Sequence, residues 1–148
     1  MNSNPKSSLE LVESTVTESS DSTVIEVLPE DLKKDSSSKT VLIKHDYYSS
    51  DTVHGRELLS SFLSSLRKAS YGSLIVYLVD SGTLLLDKSN PLFEQMKLLS
   101  AKAEMIIAAD ESISFYGIED TDNSKVIIQS MDLIAEDLIC LTDVLILE

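Results

Sequence analysis

Short apolar runs and longer amphipathic stretches alternate along the chain from residue 39 to residue 148. The short runs have the length and composition of strands that are covered on both faces of a sheet. These predicted strands are Thr40–Ile43, Ser73–Val79, Ala103–Ile107, Val126–Ile128 and Val144–Leu147. Strands that alternate with helices favour a parallel sheet with helices on both sides. We therefore predict an α/β domain over residues 39–148, a three-layer α/β/α sandwich with a mostly parallel five-stranded sheet.

The amphipathic stretches predict helices between the strands. In the first of them, apolar residues recur at helical spacing from Leu58 to Leu66. A second helix begins at Ser89-Asn90-Pro91, a capping residue followed by a proline, which helices accept in their first turn. A further helix follows Ser130 and contains Cys140 among apolar neighbours, so we expect that cysteine to be buried. The segment Thr83–Leu86 is predicted to be briefly extended.

Residues 1–38 differ in composition from the rest of the chain. They are rich in serine, contain no aromatic residue and carry eight acidic against three basic side chains. Such a segment buries too little apolar surface to offset the entropy lost on ordering, so we predict a disordered, acidic tail. Within it, Thr23–Leu28 has strand-forming residues and could be an added edge strand, a docking peptide or a strand that is sampled only transiently.

The composition excludes several classes of function. A formal net charge of −13 argues against a surface of clustered Lys and Arg for nucleic acid or an anionic membrane. No apolar run approaches the roughly 20 residues that span a bilayer, and the first residues lack the pattern of a signal peptide. The single cysteine, Cys140, permits neither an internal disulfide nor a cysteine-based metal cluster. We therefore expect a cytoplasmic protein.

Candidate site residues gather where three predicted strands end. In an open α/β sheet, ligands bind at the carboxyl ends of the strands. The residues placed there, together with one that lies close to the first helix, are His45, Tyr47, His54, Asp80, Ser81, Gly82, Ala109 and Ser112. We predict that they bind a small ligand, with the polar members lining its pocket.

Other chemistry for these residues has weaker support. His45-Asp46 and Asp51-x-x-His54 could form a metal site or a general base, yet two histidines without i, i+4 spacing are a weak pattern. A metal or cofactor site of His45, His54 and Asp80 is a weaker alternative. The structural alternative is that His45 ends a strand and that a residue of Asp51-Thr52 caps the first helix. No G-x-S-x-G sequence surrounds Ser112, and no G-x-G-x-x-G or Walker sequence follows the first strand. We therefore assign no metal, cofactor or catalytic residue.

Several sequence motifs occur in the order and spacing of a known family. The first helix reads Gly55-x-x-Leu58-x-x-x-Phe62-Leu63, and the second strand runs into Leu78-Val79-Asp80-Ser81-Gly82-Thr83-x-Leu85. After the third strand, Ala109 to Ile118 aligns with the family pattern C-G-T-C-L-x-F-Y-G-L through Phe115-Tyr116-Gly117. Over residues 40–147 the chain resembles the DsrE-like family, specifically the carboxyl-terminal domain of YedF-type proteins. That family is sulfurtransferase-like and linked to selenium metabolism.

The resemblance implies a context of sulfur relay or selenium metabolism. Both cysteines of the family pattern are absent, because Ala109 and Ser112 stand in their places. A persulfide needs a thiolate, which neither a methyl group nor an unactivated hydroxyl can supply. We therefore expect a protein that has lost sulfurtransferase activity and acts as a small-ligand-binding or protein-interaction module. The alternative is an active sulfur or selenium transfer enzyme that uses Cys140 or a partner's thiol.

The family tends to form oligomers, so the resemblance also implies a homo-oligomer. A sulfur-carrier protein or another protein is a further partner that it implies. The segment Ala109–Ser112 should separate the two expected roles. An open pocket with converging polar groups there would favour ligand binding, and a filled helix start would favour an interaction role.

Overall fold

The sheet is the central element of the computed structural model, which describes residues 38–121 and 125–148. Its five strands are β1 (Ser38–Ile43), β2 (Ser73–Leu78), β3 (Met105–Ala109), β4 (Val126–Gln129) and β5 (Val144–Leu147). They are ordered β4-β3-β2-β1-β5, and all pairings between described neighbours are parallel. Because β5 returns to pair with β1, the strands β1, β2 and β3 form the interior of the sheet.

Four α-helices and a 3-10 helix connect these strands. They are α1 (Val53–Lys68), the 3-10 helix (Asp80–Leu86), α2 (Phe93–Lys102), α3 (Asp110–Tyr116) and α4 (Met131–Cys140). Thr52 caps α1 and Ser130 caps α4, each hydroxyl accepting a hydrogen bond from a backbone N–H of the first turn. α3 ends at Gly117, whose φ of 65° is the left-handed conformation that closes many helices.

The strand register divides the sheet into two faces. One, which we call the closed face, is covered by α1, α2, α3 and the 3-10 helix. Its strand residues in the main core are Val41, Ile43, Leu74, Val76, Leu78, Ile106, Ala108 and Leu147. The other, which we call the open face, has α4 as its only cover among the described elements. Its smaller apolar cluster consists of Tyr77, Val79, Ile107, Ala109 and Ile134.

The predicted architecture of three layers around a five-stranded parallel sheet is confirmed. Two local predictions are wrong. β3 ends at Ala109, two residues later than predicted, because Ala109 still pairs with Gln129 of β4. The segment Thr83–Leu86 is not extended but belongs to the 3-10 helix, which turns Leu85 and Leu86 into the core.

Some predictions fall outside the described residues. The predicted tail, residues 1–38, does so apart from Ser38, which begins β1, and the segment Thr23–Leu28 does so entirely. Within the described part of the chain, no helix combines the length and the apolar character that crossing a membrane requires.

Candidate functional site

Five of the predicted site residues meet at the carboxyl edge of the sheet. His45 and Tyr47 follow β1, Asp80 and Ser81 follow β2, and Ser112 lies in the first turn of α3. Because β1, β2 and β3 are parallel neighbours, their ends lie side by side and bring these connections together. The five residues contact one another through hydrogen bonds, ring stacking and charge.

Asp80 is the centre of this cluster. Its backbone has a φ of 50°, a left-handed conformation that Asp adopts more readily than most residues. The Asp80 N–H donates to Ser112 Oγ at 2.8 Å, and the Asp80 carboxylate accepts from the Tyr116 hydroxyl at 3.0 Å. Two contacts therefore join the end of β2 to α3, while the Asp80 side chain stays 62% exposed.

The ring of His45 is held by three neighbours. It stacks in parallel on the Tyr47 ring with centroids 4.7 Å apart. Its Nδ1 lies 3.0 Å from Ser81 Oγ and 3.9 Å from Asp80 Oδ2. In a Ser-His-Asp triad the hydroxyl and the carboxylate lie on opposite ring nitrogens. Here both face Nδ1, so the cluster lacks the geometry of a catalytic triad.

Ala109 and Ser112 stand at the two positions that are cysteines in the family pattern, and both make structural contacts. Ala109 is the last residue of β3, is 0% exposed and packs into the open-face cluster. Ser112 is half-buried, and its hydroxyl accepts the hydrogen bond from Asp80. Because α3 begins at Asp110, the segment Ala109–Ser112 is a strand end joined directly to a helix. This is the filled helix start that, in contrast to an open pocket, favours an interaction role.

Gly82 and His54 lie in other settings. A Cβ on Gly82 would stand 2.3 Å from the carbonyl oxygen of Ile43, so glycine lets the 3-10 helix approach the end of β1. His54 is exposed on the first turn of α1, with Nδ1 3.6 Å from Glu57 Oε1. Among the described residues, no group of three or more His, Cys, Asp or Glu side chains is placed to hold a metal ion, so His45, His54 and Asp80 do not form one.

The predicted set of site residues omits two members of the cluster. Tyr116 bonds Asp80, and its pKa is raised by removal from water and further by the hydrogen bond and charge of Asp80. Asp46 is 8% exposed and accepts a hydrogen bond from Asn90 Nδ2 at 3.0 Å. Both had a sequence signal, because Tyr116 belongs to the family match and Asp46 follows His45. Their partners could be found only from the folded arrangement.

A second place that favours ligands lies between β3 and β4. The helices after these strands, α3 and α4, pack on opposite faces of the sheet, an arrangement that in open α/β sheets is associated with ligand binding at the carboxyl ends. There the Glu111 carboxylate accepts a hydrogen bond from the Met131 N–H at 2.8 Å, at the amino terminus of α4. The partial positive charge at the amino terminus of a helix favours an anion, and here that anion is the Glu111 carboxylate.

A cavity of about 410 Å³ lies between α1 and the start of α2, outside the predicted site. Its lining residues are Val53, Arg56, Glu57, Ser60, Pro91 and Leu92. Arg56 is bonded to Asp51 at 2.6 Å, and Ser60 Oγ accepts from Gln95 Nε2 at 2.7 Å. The cavity therefore offers mainly apolar contacts, because two of its polar side chains already have partners within the chain.

Cys140 is exposed, so the prediction that it is buried is wrong. α4 turns Ile134 and Leu138, one helical turn apart, toward the sheet. Cys140 follows Leu138 by two residues, which places it on the opposite side of the helix. Its neighbour Ile139 is 82% exposed. Apolar neighbours in sequence were misleading here, because several of them also face away from the sheet.

No family model matches the chain, and no curated protein matches its sequence. Several solved structures are similar, among them the following two. The conserved protein of unknown function BT1422 from Bacteroides thetaiotaomicron has a TM-score of 0.53 and 12% identity, covering 74% of this chain and 95% of its own. The ychN protein from E. coli has a TM-score of 0.50 and 14% identity, covering 74% and 99%. At this identity the likeness shows the fold alone, which agrees with the predicted DsrE-like α/β fold.

Proposed function

We propose that this protein is a protein-interaction module with a DsrE-like fold that does not transfer sulfur. The observation that carries the proposal is the state of the two positions at which the family pattern has cysteine. Ala109 is completely buried, and the Ser112 hydroxyl is engaged by the Asp80 N–H. Neither side chain can form the thiolate that carries a persulfide.

The contacts around Asp80 support a structural role for the polar cluster. Ser112 and Tyr116 tie α3 to the end of β2, and His45 ties the connection after β1 to Ser81. The polar atoms that were expected to line a pocket thus bond one another. A ligand would have to replace these contacts, which favours interaction over small-ligand binding as the function of this domain.

The open face supports the interaction role. Its exposed apolar side chains, on α4, on the chain just after it and on the two edge strands, are Ile127, Met131, Leu133, Ile139, Leu141 and Ile146. The other exposed large apolar side chains of the described residues, Val53, Leu98, Phe115, Ile128 and Leu145, lie outside this face. A group of exposed apolar side chains on one face is typical of a protein-binding site. Self-association, which the resemblance implied, is one form of such binding. Light scattering over a range of concentrations tests it, and a monomer throughout would remove that form.

A sulfur-transfer assay tests the loss of catalysis. The full chain is mixed with polysulfide and a small thiol acceptor, and the rate of persulfide formation on the acceptor is measured. We expect the wild type and Cys140→Ser to give the same rate as the reaction without protein. A wild-type rate well above that background, lost in Cys140→Ser, would contradict the proposal.

Sulfur transfer through Cys140 is the second candidate, favoured by the exposure of that thiol. An exposed cysteine should be alkylated rapidly in the native protein whether or not it is catalytic, so alkylation does not separate the two functions. The transfer assay does, because only a catalyst raises the rate above the chemical background.

A further inference from the structure

A single row of apolar side chains crosses the whole open face. The register places Ile146, Leu42, Tyr77, Ile107 and Ile127 side by side on consecutive strands from β5 to β4. In the middle, Tyr77 and Ile107 are 5% and 4% exposed beneath α4. At the two ends, Ile146 and Ile127 are 47% and 43% exposed. The apolar row is therefore longer than the helix that covers it.

The dimensions of the elements explain the mismatch. Strands spaced by about 4.8 Å set the outer two of five about 19 Å apart, whereas one helix is about 10 Å wide. α4 packs through Ile134 and Leu138 on the cluster formed by β2 and β3. Beside it, Leu42 and Val144 are half-buried and Ile146 is exposed. We call these three residues the β1–β5 strip, which lies beside α4 at one edge of the sheet and which the described elements leave partly uncovered.

The charge around the strip is mainly negative, with Lys44 directly after β1 as a basic exception. Residues 126–148 contain five acidic side chains and no lysine, arginine or histidine. The acids are Asp132, Glu136, Asp137, Asp143 and Glu148. One of them, Glu148, is paired with Lys44 at 2.9 Å. On the other side of the sheet, the covering elements α1, α2, α3 and the 3-10 helix together carry five Lys and Arg against five Asp and Glu. The open side is therefore the more negative of the two and the more attractive to a basic partner.

We propose that the β1–β5 strip docks an amphipathic helix of another protein whose polar face is basic. The apolar stripe of that helix lies on Leu42, Val144 and Ile146, and its basic residues face Asp143 and Glu148 at the two ends of β5. A helix bound in an apolar groove commonly contacts it through apolar residues at positions i, i+3, i+4 and i+7. A second copy of this chain is a poorer occupant, because it brings the same five acids to the interface. This inference rests on the proposed interaction function and specifies the partner's chemistry.

Two model peptides of about 18 residues, helical and about 27 Å long, test the partner's chemistry. One places leucine along one face and lysine along the other, and the second has glutamate at every lysine position. Binding of each labelled peptide to the full chain is followed by fluorescence anisotropy. We expect saturable binding of the lysine peptide that weakens as salt is raised, and no binding of the glutamate peptide.

Matched variants locate the binding. Ile146→Lys on the strip and Leu98→Lys on α2 change the net charge equally, at side chains that are 47% and 52% exposed. We expect Ile146→Lys to weaken binding of the lysine peptide by about tenfold and Leu98→Lys by less than about twofold. Only residue 146 contacts the peptide in the proposed complex. Equal weakening by the two variants would mean that the peptide senses only net charge, which would overturn the site.

A second pair leaves the apolar strip intact. Asp143→Asn, just before β5, removes one exposed acid beside the strip, and Glu94→Gln removes one exposed acid on α2. We expect the first to weaken binding by about two- to fivefold and the second to have little effect. This pair keeps the proposal testable if Ile146→Lys, checked by circular dichroism, fails to fold.

The remaining outcomes separate a failure of this inference from a failure of the proposed function. If neither peptide binds and light scattering shows a dimer that Ile146→Lys dissociates, the occupant is a second copy. The partner's chemistry is then wrong while the interaction function stands. Tighter binding of the glutamate peptide would overturn the charge argument. If neither peptide binds and the chain stays monomeric at high concentration, the inference is overturned, and the open face no longer supports the proposed interaction function.

Discussion

The two faces of the sheet are built from similar residues and differ in how completely they are covered. On the inner strands, the closed-face side chains Val41, Ile43, Leu74, Val76, Leu78, Ile106 and Ala108 are all 0% exposed. On the same strands, the open-face side chains of Leu42, Ile75 and Met105 remain half-buried. Three α-helices and a 3-10 helix cover one face, and one described helix covers the other.

This difference teaches that apolar patterning and completed burial are separate properties. Both faces carry the aliphatic residues of a core, yet only the closed face is sealed across its inner strands. Even there, the edge residues Ile128 and Leu145 are 48% and 40% exposed. We infer that the closed face supplies most of the stability and that the open face keeps apolar surface for a partner. Substitutions on the two faces should therefore have different consequences.

The largest effect is expected in the closed core. Leu59 of α1 is 0% exposed, and its truncation to alanine removes buried methyl groups and leaves a cavity. We expect Leu59→Ala to lower the free energy of unfolding by about 2–5 kcal/mol, measured by urea denaturation of the full chain. A loss below about 1 kcal/mol, the size of an ordinary surface change, would show that the closed face is not tightly packed.

A smaller loss is expected for the anchor of the open face. Ile134 of α4 is also 0% exposed, but it borders half-covered residues that can shift into the vacated space. We expect Ile134→Ala to cost about 2–3 kcal/mol, in the lower part of the range for such truncations. Leu59→Ala is the reference in the same urea series. A larger loss for Ile134→Ala than for Leu59→Ala would contradict the difference between the faces.

The hydroxyl of Ser112 should matter for stability, because it fastens α3, part of the closed-face cover, to Asp80. Removing it leaves the Asp80 N–H without that acceptor, so we expect Ser112→Ala to cost about 1 kcal/mol. Ser114→Ala on the exposed side of α3 is the matched control and should change stability by less than about 0.5 kcal/mol. Equal effects of the two variants would remove the structural role assigned to Ser112.

Alkaline pH should weaken the attachment of α4. Burial, followed by the charge and the hydrogen bond of Asp137, raises the pKa of Tyr77 above 10.0. The folded state then holds the proton more tightly than the unfolded chain, so this contribution is complete below pH 10.0 and is lost as pH rises through the folded-state pKa.

In Tyr77→Phe, unfolding followed from about pH 9 upward should show a shallower fall of stability than in the wild type. An unchanged slope would assign the fall to Tyr71 and Tyr116, whose pKa values are also raised.

The smallest effect is expected on the outer side of α4. Ile139 is 82% exposed, so Ile139→Ser removes little buried surface from the free protein. We expect its free energy of unfolding to stay within about 0.5 kcal/mol of the wild type. Leu63→Ser, at a side chain that is 1% exposed on the closed face, should be strongly destabilising in comparison. A clear loss in Ile139→Ser would mean that this side chain is covered in the free protein.

Much of the fold could be predicted from the sequence, because burial on both faces leaves short aliphatic runs that stand apart from amphipathic helices. The caps at Thr52 and Ser130 were predictable for a similar reason, since a hydroxyl before a helical pattern has a specific local partner. The apolar row was not predictable. It depends on strand order and register, for example on the pairing of Leu42 with Ile146, which lie far apart in the chain.

The candidate site was predicted in part for a topological reason. His45, Asp80 and Ser112 meet because the ends of neighbouring parallel strands meet. What could not be predicted was which polar groups would satisfy one another, since that depends on backbone details such as the positive φ of Asp80. Cys140 was misjudged because sequence neighbours on a helix point in different directions, and only the docked helix shows which of them face the sheet.

Hydrogen exchange of the full chain, with and without saturating lysine peptide, tests most directly whether the open face is the binding surface. Exchange reports opening of backbone amides segment by segment, so it locates the contact without a substitution. We predict slower exchange in β1, in β5 and in α4 when the peptide is bound, and unchanged exchange in α1 and α2. Slower exchange in α1 and α2 instead, or in no segment at all, would contradict the assignment of the open face as the interaction surface.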